Sequence, residues 1–316
     1  MDLTNQRILV TGGGGFVGSH LADRLARNEN KVLVVDDFSA GNRTWVENQV
    51  ETIKTDLTDY TAVSKIVDSD FDAIFHLASK KKVNSDDPYE QFRDNTEMTH
   101  NILRAAHECD ITNIVYTSSS TVYGEAPRPT PEDYAPLEPI SMYGASKLAD
   151  EGILSTYAHS HGFSVWNFRF ANVVGQRLRG AVIPDFIEKL RSDPNTLTIL
   201  GDGRQEKSYL HIDDCINGMF HAIENAPINQ SSTGSMYTYN LGTRTTTSVD
   251  RIAEIVAGEL GVDPSFKYTG GERGWTGDVP RMRLSIEKLS ELGWRPEHES
   301  SAAVRRAARE LAAEME

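Results

Sequence analysis

Thr11-Gly12-Gly13-Gly14-Gly15-Phe16-Val17-Gly18 is the stretch that decides the fold. Before it, Arg7-Ile8-Leu9-Val10 has the apolar run of a short buried strand. After it, Ser19 to Arg27 reads as a helix, with Phe16, Leu21 and Leu25 at helical spacing. A glycine turn between a buried strand and an amphipathic helix is a phosphate-binding device. Glycine permits the tight turn and the close approach of backbone to ligand. The helix N-terminus adds unpaired N–H groups and the positive end of its dipole. Gly12, Gly15 and Gly18 fall in a GxxGxxG spacing. Roughly twenty residues on, Lys31-Val32-Leu33-Val34-Val35 reads as a second strand ending in Asp36-Asp37, where an acid suits ribose hydroxyls and repels a 2′-phosphate. This register predicts a dinucleotide site that favours NAD over NADP.

A chain of 316 residues holds one large α/β domain or a core domain with a smaller companion. The formal charge of −14, with no basic face to neutralise phosphates, argues against a nucleic-acid partner. Cys109 and Cys215 lack CxxC spacing and read as free thiols in a reducing compartment. No leader pattern opens the chain and no stretch approaches a membrane span. The expectation is a soluble cytoplasmic protein with no membrane partner and no metal site.

In chain order, Glu51-Thr52-Ile53-Lys54 reads as a third strand, followed by Asp56-Leu57. Two readings stand for Asp56: with Leu57 it covers an adenine, or it caps a helix over Thr58 to Val67. Asp72 to Ala78 reads as the fourth strand; the small Ala78 and Ser79 at its carboxyl end leave room for a ligand. His76 within it reads as a satisfied strand-end histidine, with a catalytic role as the alternative. Lys80-Lys81-Lys82 is either a solvated face or the source of one lysine at the ligand. Pro88 opens a long helix carrying Asn95, and Ile111 to Tyr116 forms a fifth strand leading into Thr117-Ser118-Ser119-Ser120-Thr121. Proline and acid mark Glu125 to Ile140 as a surface loop. Ser164 to Phe170 is a sixth strand. Strands alternating with helices over the first 170 residues predict a parallel, doubly wound α/β sheet.

Tyr143 and Lys147 stand four apart on a helix predicted from Ser141 to about His161, so they share one face. An ammonium beside a phenol stabilises the phenolate and draws its pKa toward working pH, which makes the tyrosine a usable base. A serine from the end of the fifth strand completes such a triad.

These motifs together resemble the extended short-chain dehydrogenase/reductases, and within them the nucleotide-sugar epimerases of the UDP-glucose 4-epimerase type. The stretches that carry the resemblance include Thr11 to His20, Val34 to Asp37, His76-Leu77-Ala78, Ser118 to Gly124, Tyr143 to Lys147, Phe168 to Asn172, Gly201 to Tyr209 and Gly277 to Pro280. The resemblance implies a Rossmann-type sheet with a smaller α/β substrate-binding domain at the C-terminus. It divides the chain into an NAD-binding domain, 1–173 with about 208–243, and a nucleotide-sugar-binding domain, 174–207 with about 244–316. Its cofactor positions are Gly12, Gly15, Phe16, Val17, Gly18, Asp36, Asp37, Asp56, Leu57, Leu77, Ala78, Lys81, Asn95, Tyr143 and Lys147. Its catalytic positions are Ser119, Tyr143 and Lys147, with Ser118 and Ser120 as weaker candidates beside Ser119. Its nucleotide-sugar positions are Ser119, Tyr143, Asn172, the backbone around Val182 and Ile183, Lys207, Arg273 and Asp278. Lys207 stands where the family has arginine, which keeps the charge and loses the bidentate fork.

The resemblance implies reversible oxidation at C4 of a UDP-sugar (UDP-glucose and UDP-galactose, with UDP-GlcNAc and UDP-GalNAc as further substrates) through a transient 4-keto sugar, in a homodimer. Ser120 and Thr121 stand where dehydratases and decarboxylases carry acids, which disfavours both. Met282, smaller in cross-section than the family's tyrosine, opens the way to N-acetyl sugars. Arg177 and Arg179 offer a partner for a C6 carboxylate, so a UDP-glucuronate 4-epimerase is the alternative. A nucleotide-sugar reductase and an NAD-binding sensor without catalysis are the readings from other classes.

Overall fold

The short apolar runs of the first half become the strands of one sheet, and the amphipathic runs between them become its covering helices. The computed structural model describes residues 1–81, 87–227, 234–274 and 277–315. In chain order come Arg7–Thr11 (β1), Phe16–Arg27 (α1), Lys31–Asp36 (β2), Glu51–Lys54 (β3), Tyr60–Val63 (α2), Ala73–His76 (β4), Pro88–Glu108 (α3), Asn113–Ser119 (β5), Met142–His161 (α4) and Ser164–Phe170 (β6). The seven-stranded sheet runs β3-β2-β1-β4-β5-β6, with Ser235–Leu241 on the far edge. The pairings from β3 through to β5 are all parallel. This is the doubly wound, Rossmann-type α/β sheet that the alternation predicts. Strand order reverses between β1 and β4, so Gly12 and Ala78 lie where such sheets take a ligand. Leu9, Val35, Ile74, Ile102, Leu103, Ile114 and Leu154 fill the core between sheet and helices.

Local chemistry sets the element ends. Asp87 caps α3 by accepting from the backbone N–H groups of Tyr89 and Glu90, and Pro88 occupies the first turn where no N–H is needed. Ser141 caps α4, and Gly162 closes it with φ +74°. The helix expected over Thr58 to Val67 is shorter, Tyr60–Val63, and its cap is Asp59, not Asp56. The Asp56 carboxylate instead accepts from the backbone N–H and hydroxyl of Thr58, which turns the chain before the helix starts.

Packing divides the chain into two units: 1–122, 141–169 and 219–239 in the first; 123–140, 170–218 and 240–316 in the second. The second unit takes in 123–140 and 208–218, which the sequence reading places with the first. Within that unit Thr130 N–H donates to the Arg283 carbonyl and Ser285 N–H to the Thr130 carbonyl, so the proline-rich loop pairs with residues far along the chain. The same unit holds helix Val182–Ser192 (α5), the parallel pair Asn172–Val174 and Tyr209–His211, and the terminal helix Ser300–Glu314. Among the described residues no helix is long and apolar enough to cross a membrane. Cys109 and Cys215 are free thiols.

Candidate active site

The glycine loop is built for a ligand that approaches backbone. A Cβ at Gly18 would stand 2.1 Å from the Gly12 carbonyl oxygen, and one at Gly12 would stand 2.6 Å from the Ala78 nitrogen. Gly12 also has φ +68°, which glycine adopts without strain. At Gly15 an added Cβ would meet only the Gly12 carbonyl, at 3.2 Å, so its other side is open. No side chain caps α1 and its first turn carries no acid, which leaves the N-terminal N–H groups at Phe16 and Val17 for an anion. The Asp36 carboxylate closes the loop, accepting from Gly14 N–H at 2.9 Å and Phe38 N–H at 2.7 Å. Burial pushes its pKa up. Asp37 is exposed and accepts from the Ser39 backbone and hydroxyl.

At the end of β4, Leu77 and Ala78 are half-buried. Asn95 does not present a free amide there. Its carbonyl accepts from Lys80 N–H and its NH₂ donates to the Lys80 carbonyl and the Ser146 hydroxyl, so it ties this loop to α4. Lys80 pairs with Glu90 and Asp94. Lys81 is exposed to solvent yet crowded by surrounding atoms, and desolvation lowers its pKa. Lys82 lies outside the described residues. Leu57 is buried and Asp56 exposed at the end of β3.

The β5 and α4 elements bring Ser119 and Tyr143 together. The Ser79 and Ser119 hydroxyls both face the phenol oxygen and favour its ionised form. Ser79 Oγ is buried and its contact with the phenol falls short of full hydrogen-bond geometry. Ser118 is committed elsewhere: its hydroxyl donates to Glu151 at 2.6 Å. Of Ser118 and Ser119, it is the Ser119 hydroxyl that faces the phenol.

Lys147 does not hydrogen-bond Tyr143. Its Nζ lies 5.9 Å from the Tyr143 ring centre and donates to the Tyr116 hydroxyl at 3.0 Å and the Thr117 carbonyl at 2.9 Å. The expected lowering of the Tyr143 pKa is therefore corrected for the protein alone: burial outweighs the serine hydrogen bonds and holds the phenol up to about 12. Burial also brings Lys147 down to about 8. His76 is a satisfied strand-end residue. Its ring bonds Thr11 Oγ1 at 2.7 Å and Thr99 Oγ1 at 3.1 Å, and burial lowers it to about 3, which keeps it neutral.

A buried ion pair fixes α4 on the sheet. Glu151 accepts from Arg169 at 2.6 Å, with each side chain 7% exposed. Glu151→Gln takes the Glu151 charge away from the buried Arg169 guanidinium, and the expected loss of stability is about 3–5 kcal/mol, read by denaturant unfolding.

In the second unit, Lys207, Arg273 and Asp278 come together. Lys207 Nζ meets Asp278 at 2.5 Å, and an Arg273 guanidinium N–H donates to the Asp278 backbone carbonyl at 2.5 Å. Arg273 also pairs with Glu125. Asn172 leads its strand and its side chain bonds Tyr209. Val182 and Ile183 open α5, whose N-terminus has no side-chain cap. Arg179 donates to Glu314 at 2.9 Å, and Arg177 N–H donates to the same carboxylate. Asp214, Glu297 and His298 bring oxygen and nitrogen atoms within 4.8 Å of one another. The Asp214 carboxylate there accepts from the backbone N–H groups of Glu297 and His298 and from the His298 ring, which holds the turn before the terminal helix.

Sequence reasoning passed over Ser79 as a polar donor and gave no role to Tyr116 or Asp150. Ser79 showed only as a small residue, and the other two carry no local signal.

The chain is similar to known proteins over nearly its whole length. A putative UDP-glucose 4-epimerase of Methanocaldococcus jannaschii is 30% identical over 95% of this chain and 96% of its own. The crystal structure of a UDP-galactose 4-epimerase superposes with a TM-score of 0.89 at 39% identity, covering 98% of this chain and 100% of that one. The Thermus thermophilus UDP-glucose 4-epimerase, solved in complex with NAD, gives a TM-score of 0.82 at 31% identity over 96% and 97%. The model of the NAD dependent epimerase/dehydratase family matches residues 8–242, from β1 through the last strand of the sheet, and the chain belongs to that family.

Proposed function

We propose that the protein is an NAD-dependent 4-epimerase of UDP-sugars, interconverting UDP-glucose and UDP-galactose through a transient 4-keto sugar. The observation that carries this reading is Tyr143. It is a half-buried residue whose phenol is faced by two hydroxyls, with Lys147 one turn along the same helix, and Ser120 and Thr121 rather than acids follow Ser119. Gly12 to Gly18 and the α1 N-terminus hold the pyrophosphate of NAD, and Asp36 holds the adenosine ribose. When bound, oxidised NAD supplies a positive charge and a hydride acceptor, and its reduced form supplies the hydride that is returned.

Tyr143 Oη takes the proton of the sugar 4-hydroxyl, directly or through Ser119 Oγ, and gives one back when the ketone is reduced. Ser79 and Ser119 hydroxyls stabilise the phenolate oxygen. The Lys147 ammonium lowers the free energy of that anion by its charge. A dehydratase or decarboxylase needs a further acid next to Ser119, and none stands there.

Lys207 and Arg273 meet the diphosphate of the UDP-sugar, with the α5 N-terminus and Asn172 as further contacts and Asp278 holding the two cations in place. Lys207→Ala is expected to raise KM for the UDP-sugar about 10- to 150-fold with a smaller change in kcat, as removal of a charged hydrogen bond costs about 1.5–3 kcal/mol. Steady-state kinetics check it. Among sugars, Met282 leaves room for an N-acetyl group at C2, so UDP-GlcNAc is expected to turn over as well. The UDP-glucuronate alternative is weakened because Arg179 already binds Glu314. A homodimer and a cytoplasmic setting belong to the same reading.

The test is incubation of the purified protein with UDP-glucose, UDP-GlcNAc and UDP-glucuronate in turn, followed by chromatography. Formation of a C4 epimer from UDP-glucose supports the reading. No conversion of any of them, with NAD added, overturns it.

A further inference from the structure

Behind the proposed base lies a buried carboxylate that the reaction as described does not use. The Tyr116 hydroxyl donates to Asp150 Oδ2 at 2.6 Å and accepts from Lys147 Nζ at 3.0 Å. Tyr116, Asp150 and Lys147 are 0%, 1% and 2% exposed. The three form one chain, ammonium to phenol to carboxylate, sealed from solvent. Asp150 Oδ1 is buried and makes no full hydrogen bond. A carboxylate held this way is costly, and an apolar residue would fill that helix face more cheaply.

The other groups around Lys147 supply less of its counter-charge than Asp150 does. His76 on β4 is neutral, and Tyr116 on β5 is held protonated by burial. Tyr143 on α4 is the residue to be ionised. Glu151, also on α4, is committed to Arg169 on β6 and to Ser118. On the α3 side Thr99 is an uncharged hydroxyl. Of the two carboxylates that hold Lys147 charged, Asp150 acts more strongly than Glu151, and it is the one joined to the ammonium through the Tyr116 hydroxyl.

Taking Tyr143 as the base of a 4-epimerase, we propose that Asp150 is a positioning residue that acts through the Tyr116 hydroxyl to fix the Lys147 ammonium and keep it charged as the pH rises. The Asp150 charge acts on both groups: directly it raises the Tyr143 phenol, and it holds the Lys147 ammonium charged, which is the effect that sets the alkaline limb. Burial draws the Lys147 ammonium down to about 8, and the Asp150 charge opposes that fall. Without the charge, Lys147 loses its proton at lower pH, and a neutral amine no longer supports the Tyr143 phenolate. Asp150 itself sits at about 6, raised by burial and held back by Lys147, so its charge is present on the alkaline side where Lys147 needs it.

The test compares the unaltered protein with Asp150→Asn and Tyr116→Phe, each loaded with NAD. Two readouts are taken: kcat against pH, and the NMR titration of the Lys147 side chain in lysine-labelled protein, assigned with Lys147→Arg. In Asp150→Asn the alkaline limb of kcat is expected to move down by about one pH unit, with little change near pH 6, and the Lys147 titration to move with it. Tyr116→Phe keeps the carboxylate and removes the bridge, and is expected to shift the same limb in the same direction. It carries the test alone if Asp150→Asn does not fold. A loss by one constant factor at every pH, or an unmoved Lys147 titration, overturns the proposal. The NMR titration does not depend on turnover, so a failure of the epimerase reading would show in the assay and leave the claim about Asp150 separately decided.

Discussion

Tyr143→Phe is expected to reduce epimerisation by about 10³-fold or more while NAD stays bound, because the change removes only the hydroxyl that moves the proton. The ring remains, on the first turn of α4. The glycine loop, Asp36 and Lys147 are untouched, so the cofactor site keeps its donors and its charge. Ser119 does not substitute, since a serine hydroxyl has no accessible anion without a base beside it. The pH profile adds a second check. In the protein alone the phenol stands at about 12, so activity near neutrality requires that the loaded enzyme bring it down. The acid limb of kcat then reports an ionisation that Tyr143→Phe abolishes. Near-normal turnover in Tyr143→Phe would remove the base from the account.

Gly18→Ala is expected to have the largest effect on the cofactor. The added Cβ would sit 2.1 Å from the Gly12 carbonyl oxygen and 2.8 Å from the Gly13 Cα. Both are backbone atoms, so the loop itself must move. That loop is closed on the other side by Asp36, and Gly12 already lies against Ala78, so it has little room to yield. The expected result is loss of bound NAD, with apparent affinity down by about 100-fold or more. Strain of this kind also destabilises the fold by several kcal/mol, on the order of 3. NAD content of the purified protein and thermal unfolding with and without NAD read the two effects. A variant that retains NAD and unfolds like the parent would show that the loop does not hold the pyrophosphate.

These positions were legible in the sequence for a common reason: their requirements are local. A glycine turn between strand and helix, an acid at the end of the next strand and a Tyr–Lys pair one turn apart are each set by neighbours a few residues away. Asp150 and Tyr116 were not legible because their meaning depends on the register of α4 against β5. Read alone, one is a helix acid and the other a buried aromatic. The partners of Asn95 are distant in the same way. The backbone of Lys80 and the Ser146 hydroxyl take both of its N–H groups and one acceptor position of its carbonyl. The proline-rich loop was placed by composition as surface, and composition holds no information about its backbone pairing with residues 283 and 285. Lys207 and Asp278, 71 residues apart, were reached only through resemblance to a known family, and the structure joins them in an ion pair.

The central claim is that the hydrogen on C4 leaves and returns as hydride, with Tyr143 moving only the hydroxyl proton. Proton NMR of the reaction run in D₂O tests this most directly. The account predicts that UDP-galactose forms from UDP-glucose with the C4 carbon-bound proton fully retained, since that hydrogen never meets solvent. Deuterium at C4 of the product, or no product at all from the NAD-loaded protein, would contradict it.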